Sequence, residues 1–310
     1  DMPMMNRAIS KPASALKFDF VKENRKHLMK KDAQIAALTA PEALPATNVS
    51  NVGFVANWNT VSSANYYEVD VMRIFSTTED AEYLSLYEDF LLMQEYPSEV
   101  TGYLDGLTYR WDWYLYGGKL ADRSIVFPQT SSKGQTQLQT PMMDFSGEGE
   151  TETVYFSFVA EGAVGDKIGI GYYYTDDEGE DLAFAFQPVT FEEGTMTKTL
   201  YAELPAVDAL GFLIYTDPTM QNTGDVKLKT FLVSREFAAG TEFMEVYDYR
   251  QTAETSASFF TIEKDTETEG VSDEFVYGVY ALNVDMNKGE ILDMSDMSDM
   301  ILVGATGSVE

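Results

Sequence analysis

The sequence contains no cysteine and a single histidine, His27. The absence of cysteine excludes disulfides, thiol nucleophiles, iron–sulfur clusters and cysteine zinc sites. With one histidine, Ser–His–Asp triads and multi-histidine metal centres have almost no residues from which they could be built. The composition therefore argues against the commonest hydrolytic and metal-dependent catalytic sites.

Basic residues are also scarce, because 21 Lys and Arg stand against 51 Asp and Glu, for a formal charge of −30 at pH 7. Nucleic acids and anionic membranes are bound by clustered Lys and Arg, so neither is an expected partner. No apolar run is long enough to span a bilayer. Since the chain starts at Asp1, we expect a removed signal peptide and a location outside the cell or on a bacterial outer surface.

The few basic residues are concentrated at the start of the chain. Residues 1–32 carry eight bases and four acids, whereas the rest is strongly acidic. Residues 20–40 could form a weak helix that ends at Pro41. We interpret residues 1–44 as a leader or tether, with a binding arm as the alternative.

Alternating patterns occupy the middle of the chain. Apolar side chains recur at every second position in residues 154–159, 168–174 and 182–186. This period of two predicts half-buried antiparallel strands. Glycine and acidic residues fill the intervening segments 161–166 and 176–180, as is typical of hairpin turns. The pattern predicts an all-β meander.

Residues 53–71 read GFVANWNTVSSANYYEVDV, with a Trp at a strand end and a tyrosine-led strand after a small-residue turn. This segment resembles the first strands of a fibronectin type III domain. Strands that fit the remainder appear only later, at 254–262, 274–283 and 297–303. The resemblance implies one sandwich of the usual size, made of residues 45–76 plus 237–304 and split by an inserted domain.

The insert, residues 86–236, carries the words YEDF, RWDWYLYGGKLADRSIVF, LQTPMMDFSGEGETETVYFSF and GDVKLKTFLVS. These resemble the cleaved-adhesin, or choice-of-anchor, jelly roll of secreted and surface bacterial proteins. The resemblance implies a galactose-binding-like β-sandwich. The expected fold class is thus all-β with two β-sandwiches, a fibronectin type III-like domain interrupted by an inserted jelly-roll domain.

The jelly-roll resemblance also implies a structural calcium ion. Glu88 and Asp89 match the family's opening ligand position, and Asp225 lies near the closing strand. Lys229 and Thr230 stand where the family commonly has an acidic or amide pair, and an ammonium group repels a divalent cation. The alternative is a solvated acidic rim.

The segment 110–113 is the strongest candidate for a ligand site by residue type. Arg110, Trp111, Asp112 and Trp113 could form a sugar platform, with the rings stacking on C–H faces and the charged groups bonding to hydroxyls. If the segment is a strand, both tryptophans share one face, which is more often core than binding surface.

The favoured function is a non-catalytic secreted or cell-surface protein for adhesion or carbohydrate binding. Its partner would be a glycan or a host or extracellular protein. The alternative is a purely structural or assembly module that docks a protein partner. A glycoside-active enzyme is less favoured, because no pair of carboxylates stands out among the many acids.

Overall fold

The computed structural model describes residues 7–8, 38–129, 134–147, 149–261 and 271–304. The leader helix predicted within residues 20–40 falls almost entirely outside these ranges. The described residues form β-strands and turns, without any α-helix and with one turn of 3-10 helix at Pro218–Met220. The predicted all-β class with two sandwiches is confirmed.

The strands of the described residues follow in chain order. They are β1 (Arg7–Ala8), β2 (Ala43–Ser50), β3 (Gly53–Trp58), β4 (Tyr66–Thr77), β5 (Ala81–Glu88), β6 (Tyr96–Tyr103), β7 (Tyr114–Ala121), β8 (Ser124–Phe127), β9 (Thr136–Gln139), β10 (Thr151–Glu161), β11 (Lys167–Thr175), β12 (Asp181–Ala185), β13 (Val189–Thr190), β14 (Thr195–Pro205), β15 (Leu210–Thr216), β16 (Val226–Phe237), β17 (Glu242–Thr252), β18 (Ser256–Phe260), β19 (Val271–Asp285), β20 (Glu290–Met294) and β21 (Ile301–Leu302).

The chain divides into two compact units. Unit 1 comprises residues 1–15 and 82–236, and unit 2 comprises residues 16–81 and 237–310. Unit 2 is therefore assembled from segments on either side of residues 82–236 in the sequence.

Unit 2 is built from two antiparallel sheets. One has the order β17-β4-β19-β20, with β21 also paired to β19, and the other has the order β18-β3-β2. Their apolar faces meet around Phe54, whose ring lies 5.5 Å from that of Phe259 and 5.9 Å from that of Tyr277. Every second residue of β3 is buried, as its alternating sequence predicts.

The last predicted strand, 297–303, is shorter in the structure. Only Ile301–Leu302 forms a strand there. The acidic repeat before it runs alongside β19 and is hydrogen-bonded to it through serine side chains. The hydroxyls of Ser295 and Ser298 accept hydrogen bonds from the N–H groups of Ala281 and Val279. Serine side chains thus replace the missing backbone acceptors of a regular ladder.

Unit 1 is a jelly-roll sandwich in which one sheet folds around a core. Its strand order is β1-β12-β11-β15-β9-β7-β8-β16-β10-β14, with β5 on β16, β6 on β7 and β13 on β11. Strands that are far apart in this order face each other, since the ring of Phe156 on β10 lies 5.2 Å from that of Phe212 on β15. The core between them is apolar and largely aromatic.

The predicted meander is half right. The three strands at its centre exist, and β11 pairs with β12. However, β10 pairs with β14 and β16 and not with β11, so the turn after β10 crosses from one side of the sandwich to the other. Buried Asp166 fixes this crossing by accepting backbone hydrogen bonds from Thr223 and Gly224 at 2.7 and 3.0 Å. A local alternation pattern carries no information about that distant loop.

Candidate functional site

One outer face of unit 1 carries an unusual concentration of tyrosine and glutamine. Residues directly opposite each other on neighbouring strands share a face of the sheet. The strand pairings therefore define a surface that we call the Tyr/Gln face, made of Tyr103, Tyr114, Tyr116, Gln137, Gln139, Tyr173 and Tyr215. Their sequence neighbours Leu115, Leu138, Tyr172 and Ile214 point the other way, into the core.

Two glycines allow tyrosine rings to lie across the sheet. A Cβ atom at Gly211 would come within 2.6 Å of the Tyr173 ring, and one at Gly169 within 2.4 Å of the Tyr215 ring. The Tyr173 hydroxyl donates to the carbonyl of Thr140 at 3.1 Å, which fixes the ring in this position. The rings of Tyr173 and Tyr215 thus cover the positions where Gly211 and Gly169 on the neighbouring strands have no side chain.

The Tyr/Gln face is buried in its middle and open at one end. Tyr114 and Tyr173 are buried, whereas Tyr103 and Tyr116 are 39% and 38% exposed. Tyr103 packs edge-on against Tyr114, with 5.1 Å between the ring centroids. This contact holds an exposed ring in a defined orientation, which is what a stacking surface for a ligand requires.

Asp112 stands beside this open end. Burial raises the pKa of Tyr103 and of Tyr173, and the negative charge of Asp112 raises both further. Asp112 adopts a left-handed backbone conformation, with φ of 71°, and its N–H donates to the Asp105 carboxylate at 3.0 Å. A half-exposed carboxylate therefore lies close to two tyrosines of the face.

Two of the residues predicted to bind a ligand are buried in the structure. Residues 110–113 precede β7 and are not part of a strand, so the parity argument for the tryptophans is wrong. Trp113 is fully buried and packs edge-on against Phe90. Arg110 is buried and donates to the carbonyl of Ser85 at 3.2 Å. Trp111 is partly exposed, and Asp112 reaches the Tyr/Gln face.

Glu88, predicted as a calcium ligand, is fully buried at the end of β5. Its two oxygens accept backbone hydrogen bonds from Phe90 at 2.8 Å and Tyr109 at 2.7 Å. Burial raises the pKa of Glu88 to about 8, although these two hydrogen bonds oppose the shift. The side chain thus ties the end of β5 to the segment that leads to Asp112.

The other two predicted calcium ligands also have protein partners. Asp89 accepts hydrogen bonds from the hydroxyls of Tyr87 and Tyr109, and Asp225 accepts one from the N–H of Gln129. Among the described residues, no three acidic or histidine side chains are grouped closely enough to hold a metal. Because both oxygens of Glu88 and of Asp89 are engaged by protein donors, Glu88 favours its protonated form and no third acid joins them among the described residues, this donor set does not fit calcium. Calcium binding stays an untested prediction.

The Tyr/Gln face was missed by sequence reasoning. Its signals are present as GIGYYY, TQLQ and LGFLIY, in which the residues between core positions are glycine, tyrosine and glutamine. Alternation identifies these positions as facing away from the core. It does not reveal that β11, β15, β9 and β7 are neighbours, because that order depends on distant pairings.

No protein-family model matches the chain, and no curated protein matches it. Solved structures with similarity include the xylan-binding domain CBM22-1 of Paenibacillus barcinonensis Xyn10C, at 13% identity and a TM-score of 0.32, covering 52% of this chain and 98% of that one. The CBM22-1–GH10 modules of Clostridium thermocellum xylanase 10B, complexed with xylohexaose, show 16% identity and a TM-score of 0.30 over 49% of this chain. The active domain of bacteriophage CBA120 tailspike protein 4 shows 8% identity and a TM-score of 0.29 over 50% of this chain.

The chain spans only 19% of the tailspike structure and 28% of the xylanase structure. Similarities at this level of identity and TM-score do not identify a ligand for this chain. No described segment forms a helix with the length and apolarity that crossing a bilayer requires.

Proposed function

We propose that unit 1 binds carbohydrate at the open end of the Tyr/Gln face. The observation that supports this most strongly is the pair of exposed tyrosines, Tyr103 and Tyr116, on a face whose other members are aromatic and amide side chains. Tyr103 is opposite Tyr114 on the neighbouring strand, so Tyr116, two residues further along, is its diagonal neighbour at about 7–8 Å, a spacing on the scale of a sugar ring.

The chemistry of this end suits a neutral sugar chain. The apolar C–H face of a pyranose stacks on a tyrosine ring, and its hydroxyls donate to a carboxylate or exchange hydrogen bonds with tyrosine hydroxyls. Asp112 supplies the carboxylate beside Tyr103. Since Asp112 is held by a backbone hydrogen bond to Asp105, little ordering is needed when a ligand binds.

In this proposal the chain is non-catalytic and acts in adhesion or glycan binding outside the cell or on its surface. Unit 2 serves as a fibronectin type III-like carrier. Support comes from its two facing antiparallel sheets, in which strands from before unit 1 pair with strands from after it. Thus β4 pairs with both β17 and β19, and β3 pairs with β18.

A glycan array followed by calorimetry tests the binding site. Tyr103→Ala and Tyr116→Ala should each abolish or greatly weaken binding of a glycan that the unaltered chain binds. Tyr201→Ala is the matched control, because Tyr201 is 47% exposed on the outer face of the opposite sheet, where it pairs with Tyr155. Equal binding by all three variants would remove the Tyr/Gln face from the proposal.

A second candidate function, docking of a protein partner, is favoured by one surface of unit 2. Val246, Met72, Val276 and Leu302 lie opposite one another in a row across four strands. Val246 and Leu302, at the two ends of this row, are 49% and 39% exposed on the face turned away from the core, whereas Met72 and Val276 between them are buried. Sedimentation of the unaltered chain and of Val246→Lys tests the simplest partner, a second copy. A monomer in both cases would remove self-docking.

A further inference from the structure

The opposite sheet of unit 1 contains a separate polar pocket. It is a depression of about 410 Å³ that is largely open to solvent and is lined by Glu161, Gly162, Gly194, Thr195, Asp225 and Lys227. Glu161 is directly opposite both Thr195 on β14 and Lys227 on β16. The pocket therefore lies across β16, β10 and β14, on different strands from the Tyr/Gln face.

Lys227, the lysine of the pocket, already forms an ion pair with the carboxylate of Asp122. The Lys227 ammonium lies 2.6 Å from Asp122, and the adjacent Lys229 lies 3.7 Å from Glu161 and donates to the carbonyl of Asp122 at 3.2 Å. The hydrogen bond to Asp122 and its charge raise the pKa of Lys227. Neutralised in this way, Lys227 adds little repulsion toward a second cation.

The pocket lining carries more negative than positive charge. Glu161 and Asp225 contribute two carboxylates against the single ammonium of Lys227, and adding the ion-pair partners Asp122 and Lys229 leaves the excess negative. Within the described part of the chain, Asp225 has one hydrogen bond, from Gln129 to Oδ1, which leaves Oδ2 available. An anionic ligand is disfavoured, and a hydrogen-bond donor that carries positive charge is favoured.

The shape and polarity of the pocket restrict the ligand further. The lining side chains are charged or hydroxylated and include no apolar or aromatic group. An amine that carries a large apolar group would therefore have no apolar contacts in this pocket. The volume falls in the range of small-ligand sites. Thr195, which is exposed, offers a hydroxyl beside Glu161 that can serve a hydroxylated ligand.

We propose that this pocket binds the protonated primary amine of an amino sugar. Glu161 and Asp225 accept hydrogen bonds from the ammonium group, while Thr195 and Lys227 contact the sugar hydroxyls. This site is independent of the carbohydrate site proposed at the Tyr/Gln face, since the two share no residue. Unit 1 would then carry two glycan sites of different chemistry on its two sheets.

The test is a titration of the full chain with a glucosamine disaccharide and with its N-acetylated counterpart, followed by NMR at mildly acidic pH and physiological ionic strength. Acetylation removes the positive charge and keeps the ring hydroxyls. We expect saturable shifts of the pocket residues with the free amine only. Equal shifts of the pocket residues with both sugars, or with neither, would overturn the proposal.

Two isosteric variants locate the site. Glu161→Gln and Asp225→Asn should each weaken binding of the glucosamine disaccharide roughly tenfold, because each replaces a charge-assisted hydrogen bond with a neutral one. Glu203→Gln is the control, because Glu203 is an exposed carboxylate on the same strand as Thr195 and bonds to Thr153 instead. A similar loss in Glu203→Gln would show non-specific attraction to an acidic protein and contradict the proposal.

The Tyr103→Ala variant separates this proposal from the one on the Tyr/Gln face. We expect it to bind the glucosamine disaccharide as the unaltered chain does. Loss of amine binding in Tyr103→Ala, with no loss in Asp225→Asn, would place the amine at the other face and overturn the assignment of the pocket.

Discussion

The two outer faces of unit 1 are both formed by every second side chain of their strands, but they differ in the chemistry of those side chains. The Tyr/Gln face joins aromatic rings, amides and glycines, and most of it is buried. On the opposite sheet, short polar contacts cover β10 and β14, such as Ser157 with Thr199 at 2.7 Å and Thr153 with Glu203 at 2.6 Å. A period of two identifies the residues that face away from the core, but the chemistry of each outer face depends on which strands become neighbours.

The largest contrast is expected between two aromatic residues of the same segment. Trp113→Ala removes a fully buried ring from the core and should lower the free energy of unfolding by about 3–5 kcal/mol. Tyr116→Ala removes a partly exposed ring and should cost less than about 1 kcal/mol. Urea unfolding measures both. Similar losses in the two variants would contradict the division between core and binding surface.

The next effect concerns the ring that lies across Gly211. In Gly211→Ala the new Cβ comes within 2.6 Å of the Tyr173 ring, so the ring must move, and unfolding should become easier by about 1–3 kcal/mol. Gly194→Ala is the control, because no atom lies within 4 Å of its added Cβ. Thermal unfolding of the two variants gives the comparison. No difference between them would mean that the Tyr173 ring is not fixed on the face.

A smaller effect follows from Glu88 and depends on pH. Because its pKa is raised to about 8 in the folded chain, the folded state holds a proton that the unfolded state loses near the ordinary value of 4.5. The stability from protonated Glu88 is fully present below about pH 4.5 and is lost as the pH rises toward about 8, with a slope of up to about 1.4 kcal/mol per pH unit. In Glu88→Gln this part of the pH dependence should disappear.

The comparison of Glu88→Gln with the unaltered chain isolates this group from the general repulsion among acids, which both proteins share. Urea unfolding at a series of pH values measures it. Parallel stability curves for the two proteins would show that Glu88 is ionised at neutral pH in the folded state.

The smallest effect is expected on removal of calcium. Since Glu88, Asp89 and Asp225 already accept hydrogen bonds and do not form a group of three, chelation should leave the Tm unchanged. A fall of several degrees with chelator, restored by added calcium, would establish a calcium site despite this geometry.

Sequence reasoning worked where structure is local and failed where it depends on distant contacts. The strands around residues 154–186 and the all-β class followed from alternation, because side chains of a strand alternate between its faces. The pairing of β10 with β14 and β16 did not follow, because the partners lie 34 or more residues away along the chain.

Within the candidate site the outcome differed between adjacent residues. Asp112 was predicted as part of the ligand platform and lies beside Tyr103, whereas Trp113 next to it fills the core. The left-handed conformation of Asp112 breaks the alternation that would have placed the two tryptophans on one face. Aspartate tolerates this conformation better than most residues, but the sequence alone does not show that it is adopted here.

The most direct test of the account is binding of a glycan by the unaltered chain and by Tyr103→Ala, measured by calorimetry with Tyr201→Ala as the control. The account predicts that binding is lost in Tyr103→Ala and kept in Tyr201→Ala, with both variants folded. Undiminished binding in Tyr103→Ala and in Tyr116→Ala would contradict the assignment of the Tyr/Gln face as the carbohydrate site.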